Sequence, residues 1–578
     1  MRNKGLSVLI IVETTILGLV AMAIFGFLMD QYDRARAMAE EQSVAAQPTE
    51  VVVAVLMVTP TATSTPTYAE PATPMATPTR SVTPSSTRTA SRPATQTRTR
   101  VPSATPLAVV PSAPSSSPTR TSPAPPTSPP AAVLLPTPAV PPTPRPTRTP
   151  VQASFTTLAG CDTIDEPGNY RLGSDLTANG DCIKIQTSYA IFDCEGHAIR
   201  GTNFGGSGIA VRKYGLLASK VPAYIEIRNC RVFNFKYGIF VESGKNLVIH
   251  DNNSSNNYDD TDPATRYGIF LGMTDGGGIR LNNTTDSYVF GNTTVHQAIG
   301  IDVRNSSNVA VRANTSSDNS AWGINFIATQ HSEASSNVTA DNIRKCVWGA
   351  GTVGFGCDAG GIVIQGGSSN NLIANNTVSG RNGNGIFIKA HSQPCGHNNT
   401  ITGNTITSVL YNAVELGFCT GNRINGNLIR DGLDGIWLGF AHDTEIKNNT
   451  ISNMRNHGII SSNSYNNVVS GNLVVNSNEG IYFLTEDYDR EFFAWLPPGD
   501  YRSHDNCLCG NTLQNNSTVG IRLKDSTNNQ VTNNTFQGNG RTVIVQGNGD
   551  GNNMQGNVGW SPPAALDRSI AGLFLSWR

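Results

Sequence analysis

The 578 residues carry 41 lysines and arginines against 42 aspartates and glutamates, a formal net charge of -1 with 14% of positions charged. That balance excludes a strongly basic nucleic-acid binder and demands no acidic partner. Glycine is abundant, at 56 residues, and aromatics are sparse, at 7%, which suits a fold of many tight turns better than a helical globule.

Residues 1–41 open with an apolar run from Gly5 to Met29, interrupted by Glu13, Thr14 and Thr15. A bilayer core needs about 20 such residues, so the run predicts a transmembrane helix. Arg2 and Lys4 precede it and mixed charges follow, which keeps the amino terminus inside. A cleaved signal peptide is the competing reading, with Ala21-Met22-Ala23 as its cleavage triplet. That triplet lies within the apolar run, which Gly26 to Met29 continue, so an uncleaved anchor is favoured. Residues 42–152 are Pro, Thr, Ser and Ala, and hold twenty-five of the 33 prolines. With too little apolar surface to offset the entropy of ordering, this stretch reads as a disordered stalk, reaching over roughly 100 Å in polyproline form. It could cross a cell-wall or surface layer, or be a flexible linker alone.

From residue 153 to 560 the chain repeats. Gly-Ile followed by an alternating pair recurs at Gly208, Gly238, Gly268, Gly300, Gly323, Gly361, Gly385, Gly435, Gly458, Gly480 and Gly520, with Ala413-Val414 and Thr542-Val543 in the two missing places. About fourteen residues after each glycine comes an apolar residue, two variable ones and an asparagine, as in Ile401-Thr-Gly-Asn404 and Ile424-Asn-Gly-Asn427. The asparagine register runs from Asn252 to Asn557, and Cys230 takes its place in the first full coil. Each unit holds strands of three to five residues that cannot bury a face alone. Stacked as coils about 4.8 Å apart, they predict an all-β fold, a right-handed parallel β-helix of about thirteen coils. Asparagine at the turn is explained by its tolerance of left-handed backbone angles and by amide ladders along the stack. Thr156 to Asp181 is expected to cap the first coil. Residues 561–578, with Leu566, Ile570, Leu573, Phe574 and Trp577 at helical spacing, would form an amphipathic helix capping the last.

Ile164-Asp-Glu-Pro-Gly-Asn-Tyr-Arg-Leu172, Cys182-Ile-Lys-Ile185 and Phe192-Asp-Cys-Glu-Gly-His-Ala-Ile199 resemble the opening of NosD-like β-helix proteins, within the wider pectin-lyase-like group. The resemblance covers roughly Gly160 to Trp560. It implies the fold, and a range of activities: polysaccharide lyases, uronan epimerases, glycoside hydrolases, accessory proteins linked to periplasmic copper, and surface proteins without a reaction. The Asp-Asp, Gly-His-Gly and Arg-Ile-Lys set of pectin-hydrolysing members does not transfer, because Asp259-Asp260 sits in an insertion and the other two motifs are absent. Thr261-Asp262-Pro263-Ala264 likewise lacks the histidine and glutamate of the epimerase Asp-Pro-His-Glu signature.

All 10 cysteines lie beyond the anchor, and an even count on the exported side favours disulfides. Plausible partners are Cys161 with Cys182, Cys194 with Cys230, Cys346 with Cys357 and Cys395 with Cys419, leaving Cys507-Leu508-Cys509 over; sequence alone does not fix the connectivity. Scattered histidines and oxidised cysteines give copper no ligand set, and no cofactor is expected. Calcium at Asp259, Asp260 and Asp262 has no motif behind it.

In the Gly-Ile-x-apolar strand the x side chain faces outward, which makes Phe387, Trp437 and Tyr482 candidates for stacking on sugar rings, or for packing under neighbouring loops. The position before the glycine reads Asn384, Asn412, Asp434, His457 and Glu479 in five consecutive coils. Stacking would set His457 between two carboxylates, favouring its cation. Asp434, His457 and Glu479, with Glu415, are the candidate catalytic residues; Phe387, Lys389, Asn412, Trp437 and Tyr482 are the candidate substrate-binding residues. The acidic, aromatic insertion Thr485 to Asn506 is expected to wall a cleft beside them. Together these features predict a membrane-anchored, extracytoplasmic β-helix that binds an extracellular polysaccharide, with cleavage or epimerisation as the chemistry the column would allow. A non-enzymatic adhesin or architectural protein of the envelope is the alternative.

Overall fold

The computed structural model describes residues 154–258, 275–343, 345–347, 353–355, 359–388, 395–488, 490, 496–497 and 499–559. The expected anchor at 5–29, the stalk at 42–152, the capping helix at 561–578, Lys389, Asp259, Asp260 and Asp262, and Cys357, the expected partner of Cys346, lie outside them. Among the described residues no helix is long and apolar enough to cross a membrane.

One coil shows how the chain builds the domain. Asp434–Gly439 forms the Gly-Ile strand, Glu445–Lys447 the second side and Thr450–Ser452 the third; the chain then re-enters the first face as His457–Ser462. Each strand pairs in parallel with its equivalent one coil on, so Ile436 meets Ile459, Ile446 meets Val469 and Ile451 meets Val474. Repeated, this makes a right-handed parallel β-helix of three sheets. The Gly-Ile face has 15 strands, from Thr163–Ile164 to Val543–Gln546. The third side is a ladder of 4 strands and another of 8, joined through single bridges at Thr293 and Thr315. Among the described strands the exception to parallel pairing is the hairpin of Lys345–Val347 with Val353–Phe355.

The interior is a column of branched side chains. Val414, Ile436, Ile459, Ile481 and Ile521 stack on the first face, Ile401, Ile424, Ile446 and Val469 on the second, Ile406, Ile429, Ile451 and Val474 on the third, all at 0% exposure. Each such burial contributes about 1.5–3 kcal/mol. Glycine precedes the isoleucine because the strand starts against its neighbours: a Cβ on Gly435 would lie 2.3 Å from the Gly458 carbonyl oxygen and 2.7 Å from the Ile451 side chain.

Three details differ from the expectation. The rung after Tyr237–Val241 is Gly277–Asn282, with Ile239 opposite Ile279, so Gly278 and Arg280 occupy the places expected for Gly268 and Phe270. The stretch 156–181 is itself coiled into the ladder, Phe155–Leu158 pairing with Gly168–Leu172. The ladder asparagines are not the left-handed residues. That conformation belongs to the residue before each: Asn375 (φ 56), Gly403 (φ 64), Gly426 (φ 63) and Asn448 (φ 55). The asparagine instead turns inward. Asn404 donates its backbone N–H and its Nδ2 to Asn427 Oδ1, both at 2.9 Å, and Nδ2 also reaches the Ile373 carbonyl at 3.0 Å. The backbone link runs unbroken from Cys230 to Asn557. A second ladder lies five residues earlier, through Asn371, Asn399 and Asn422 and again through Asn467, Asn506, Asn529 and Asn552. Buried polar groups are therefore satisfied by identical neighbours one rung away.

Disulfides join Cys161 to Cys182, Cys194 to Cys230 and Cys395 to Cys419. Cys507 and Cys509, expected to be left over, are joined to each other.

Candidate functional site

The outward x column runs in register through Phe387, Glu415, Trp437, Ile460, Tyr482 and Arg522. Trp437 and Tyr482 are half-buried, with part of each ring exposed. Phe387 is 1% exposed and belongs to a separate apolar cluster with Ala298, Ile299, Ala321, Trp322, Ala359 and Val363, so its ring is not offered to a ligand in this structure. Glu415 accepts from Asn384 Nδ2 at 2.9 Å and Asn412 Nδ2 at 2.7 Å, which fixes its carboxylate on the face.

Before the glycine, Asp434 and His457 meet. Asp434 Oδ1 lies 2.7 Å from His457 Nδ1 and accepts the His457 backbone N–H at 3.0 Å. A carboxylate at Nδ1 fixes the proton there in the neutral ring and leaves Nε2 as the acceptor. Nε2 makes no hydrogen bond to a described residue. Glu479 does not join the pair. Arg522, one rung on, takes it with two bonds, Nε to Oε2 at 2.9 Å and Nη2 to Oε1 at 2.5 Å. The imidazole stands in register between the two carboxylates, as expected, but its hydrogen bond goes to Asp434. Arg522 also lies 5.5 Å from the Tyr482 ring centre, and the Tyr482 ring 5.5 Å from that of His457. Burial pushes the Tyr482 hydroxyl above its ordinary pKa, so it keeps its proton at neutral pH.

The insertion after Leu484 builds a cleft of about 710 Å³, lined by Asn463, Thr485, Glu486, Tyr488, Asp500 and Tyr501 among others. Asp434, His457 and Glu479 are not part of its lining. The insertion leaves from the carboxyl end of the strand, whereas the column stands at the amino end, about 16 Å away along five extended residues. Burial raises the Glu486 carboxyl, while hydrogen bonds from Arg502 hold Asp500 down at about 2. Beside the cleft, His442, Tyr465 and His504 stack at 4.7 and 5.2 Å with rings 4° from parallel, and Tyr501 meets Tyr465 edge-on at 6.3 Å. Sequence reading missed this stack. Its signal is the residue after a small buried one in successive coils: Ala441-His442, Ser464-Tyr465, Ser503-His504.

Among the described residues no three His, Cys, Asp or Glu side chains group as a metal site. Among the described residues of 273–414, His296, His331 and His397 form no such group and Cys395 is held in a disulfide, so these donors do not make a copper site.

A family model described as the right handed beta helix region matches residues 360–487 and 395–559, and one described as the periplasmic copper-binding protein NosD matches 273–414. No curated protein sequence matches the chain. Among solved structures, the A-module of the Azotobacter vinelandii mannuronan C-5 epimerase AlgE6 is similar at 13% identity and TM-score 0.39, over 69% of this chain and 91% of that one. The periplasmic alginate epimerase AlgG is similar at 14% identity and TM-score 0.37, over 66% and 78%. The N-terminal fragment of bacteriophage Phi29 gene product 12 is similar at 13% identity and TM-score 0.44, over 68% and 65%. In sequence, as in its coils, the chain resembles NosD-like and other right-handed parallel β-helix proteins.

Proposed function

We propose that the protein works outside the cytoplasm, tethered by the 5–29 segment and its 42–152 stalk, and binds an extracellular polysaccharide along the Gly-Ile face. Disulfides that tie one rung to the next support an oxidising compartment. The observation that carries the binding role is the pair of partly exposed rings, Trp437 and Tyr482, two rungs apart at roughly 9.6 Å with the Asp434–His457 pair beside them.

The same geometry supports acid–base chemistry on a uronate. His457 Nε2, with Asp434 holding the other nitrogen, would take the proton from the carbon next to the sugar carboxylate, and the protonated Tyr482 hydroxyl would donate. Glu415 and Asn412 would hold sugar hydroxyls. One observation favours a rod that binds without turnover: Glu479 is already occupied by Arg522, which removes one of the expected catalytic carboxylates. Screening the purified protein on a glycan array and analysing products from any hit separates the two. An enzyme loses product formation at least about 100-fold in His457→Ala while retaining binding; an adhesin binds and forms no product in either form. Absence of any glycan hit would overturn the reading.

A further inference from the structure

Cys507 and Cys509 differ from the other described disulfides in what they enclose. Cys161–Cys182, Cys194–Cys230 and Cys395–Cys419 span 21, 36 and 24 positions and tie neighbouring coils, and each includes a buried cysteine. Cys507–Cys509 spans 2 positions within one strand. A bridge stabilises by restricting the unfolded chain, the more so the longer the loop it closes, and this loop is the shortest of the four described. Only Leu508 between them points into the core, at 0% exposure; both cysteines lie on the outer side of the second sheet and are partly exposed. Their Cα atoms are 5.4 Å apart in a strand that pairs in register on both sides.

We propose that Cys507–Cys509 is a thiol-exchange site that reacts with a low-molecular-weight thiol in the extracytoplasmic space. The external thiolate attacks Cys507 Sγ and the S–S bond breaks. Its electron pair leaves on Cys509 Sγ, which accepts the Thr532 hydroxyl at 3.5 Å. Cys507 is then in a mixed disulfide. A second external thiolate attacks the external sulfur, giving the oxidised small disulfide and a Cys507 thiolate, so two small thiols are oxidised as the protein pair is reduced. Thr532, on the next rung opposite Cys509, is a positioning residue for the leaving thiolate.

The test is graded incubation of the full-length protein with reduced glutathione, acid quench, maleimide labelling and peptide mass spectrometry. The proposal expects Cys507 and Cys509 to become labelled at glutathione concentrations at least about tenfold below those that open Cys194–Cys230. Cys509→Ser should retain a glutathione adduct on Cys507, and Thr532→Val should slow the first step about three- to tenfold with the unfolding midpoint unchanged. Cys507→Ser/Cys509→Ser should unfold like the parent, which shows that the bridge is not structural. Labelling of both thiols before any glutathione is added, opening no earlier than Cys194–Cys230, or a large loss of stability in the double variant would each overturn it.

Discussion

Arg280 and Asp302 stand on the same outward column as Trp437 and Tyr482, yet their side chains are only 7% and 3% exposed while the two rings remain partly exposed. Around the first pair every charge is answered. Asp302 takes Arg280 Nε and Arg304 Nε at 2.8 Å each and Asn325 Nδ2 at 2.8 Å. Arg280 also bonds Asp275 and, at 2.8 Å, the Tyr237 hydroxyl. Against the cost of burial, the Tyr237 hydroxyl and Arg280 hold the Asp275 carboxyl well below its usual range, and burial drives the Tyr237 hydroxyl well above. In the Asp434–Arg522 stretch fewer side chains meet: His457 Nε2 makes no hydrogen bond to a described residue. One backbone platform thus carries a dense, buried ion network around Arg280 and Asp302 and, among the described residues, a sparser and more exposed set around Trp437 and Tyr482.

The largest expected effect lies in the buried network. Asp302→Ala leaves a buried guanidinium without its main partner and should cost about 3–5 kcal/mol in urea unfolding; a loss under about 1 kcal/mol would mean that the network is solvated. The scaffold beneath the two stretches should be equivalent. Asn314→Ala and Asn427→Ala each strip one ladder oxygen that accepts two donors, so each should cost about 1–3 kcal/mol. A difference above about 1 kcal/mol between them would place the contrast in the coils and not in the outward side chains.

The smallest effect is a pH dependence near the buried network. His250 is raised by its bond to Glu226, which is lowered by the same bond; the ring stacks on Phe290 at 4.8 Å. The histidine's share of stability is complete below its ordinary 6.5 and lost as pH rises through its raised value. The glutamate's share is complete above its ordinary 4.5 and lost as pH falls through its lowered value. His250→Gln should therefore be least stable relative to the parent between those two values, by about 0.5 kcal/mol after solvent screening, with the deficit fading at higher pH. A deficit that grows with pH would contradict the pairing.

The coil was legible because its two fixed columns, Gly-Ile and asparagine, carry the steric and hydrogen-bonding demands of every rung. Where two segments satisfied the same pattern, as Gly268-Ile-Phe-Leu271 and Gly278-Ile-Arg-Leu281 both do, spacing alone had no means to choose. The asparagine's burial was hidden for a related reason: a left-handed turn and a ladder occupy adjacent residues, and sequence shows only that asparagine is frequent at both. In the candidate site, neighbours along a column followed from register, which is how Asp434 and His457 were brought together. Glu479's partner did not, because Arg522 reaches it from the adjacent column, and side-chain reach is not written in the repeat.

Glycan binding by paired variants tests the central claim most directly. Trp437→Ala/Tyr482→Ala should weaken binding to any array hit by about tenfold or more, since each lost ring contributes about 0.5–1.5 kcal/mol, whereas Tyr465→Ala beside the insertion cleft should leave it unchanged. Loss of binding in Tyr465→Ala with the double variant unaffected would put the ligand at the cleft and contradict the assignment to the Gly-Ile face.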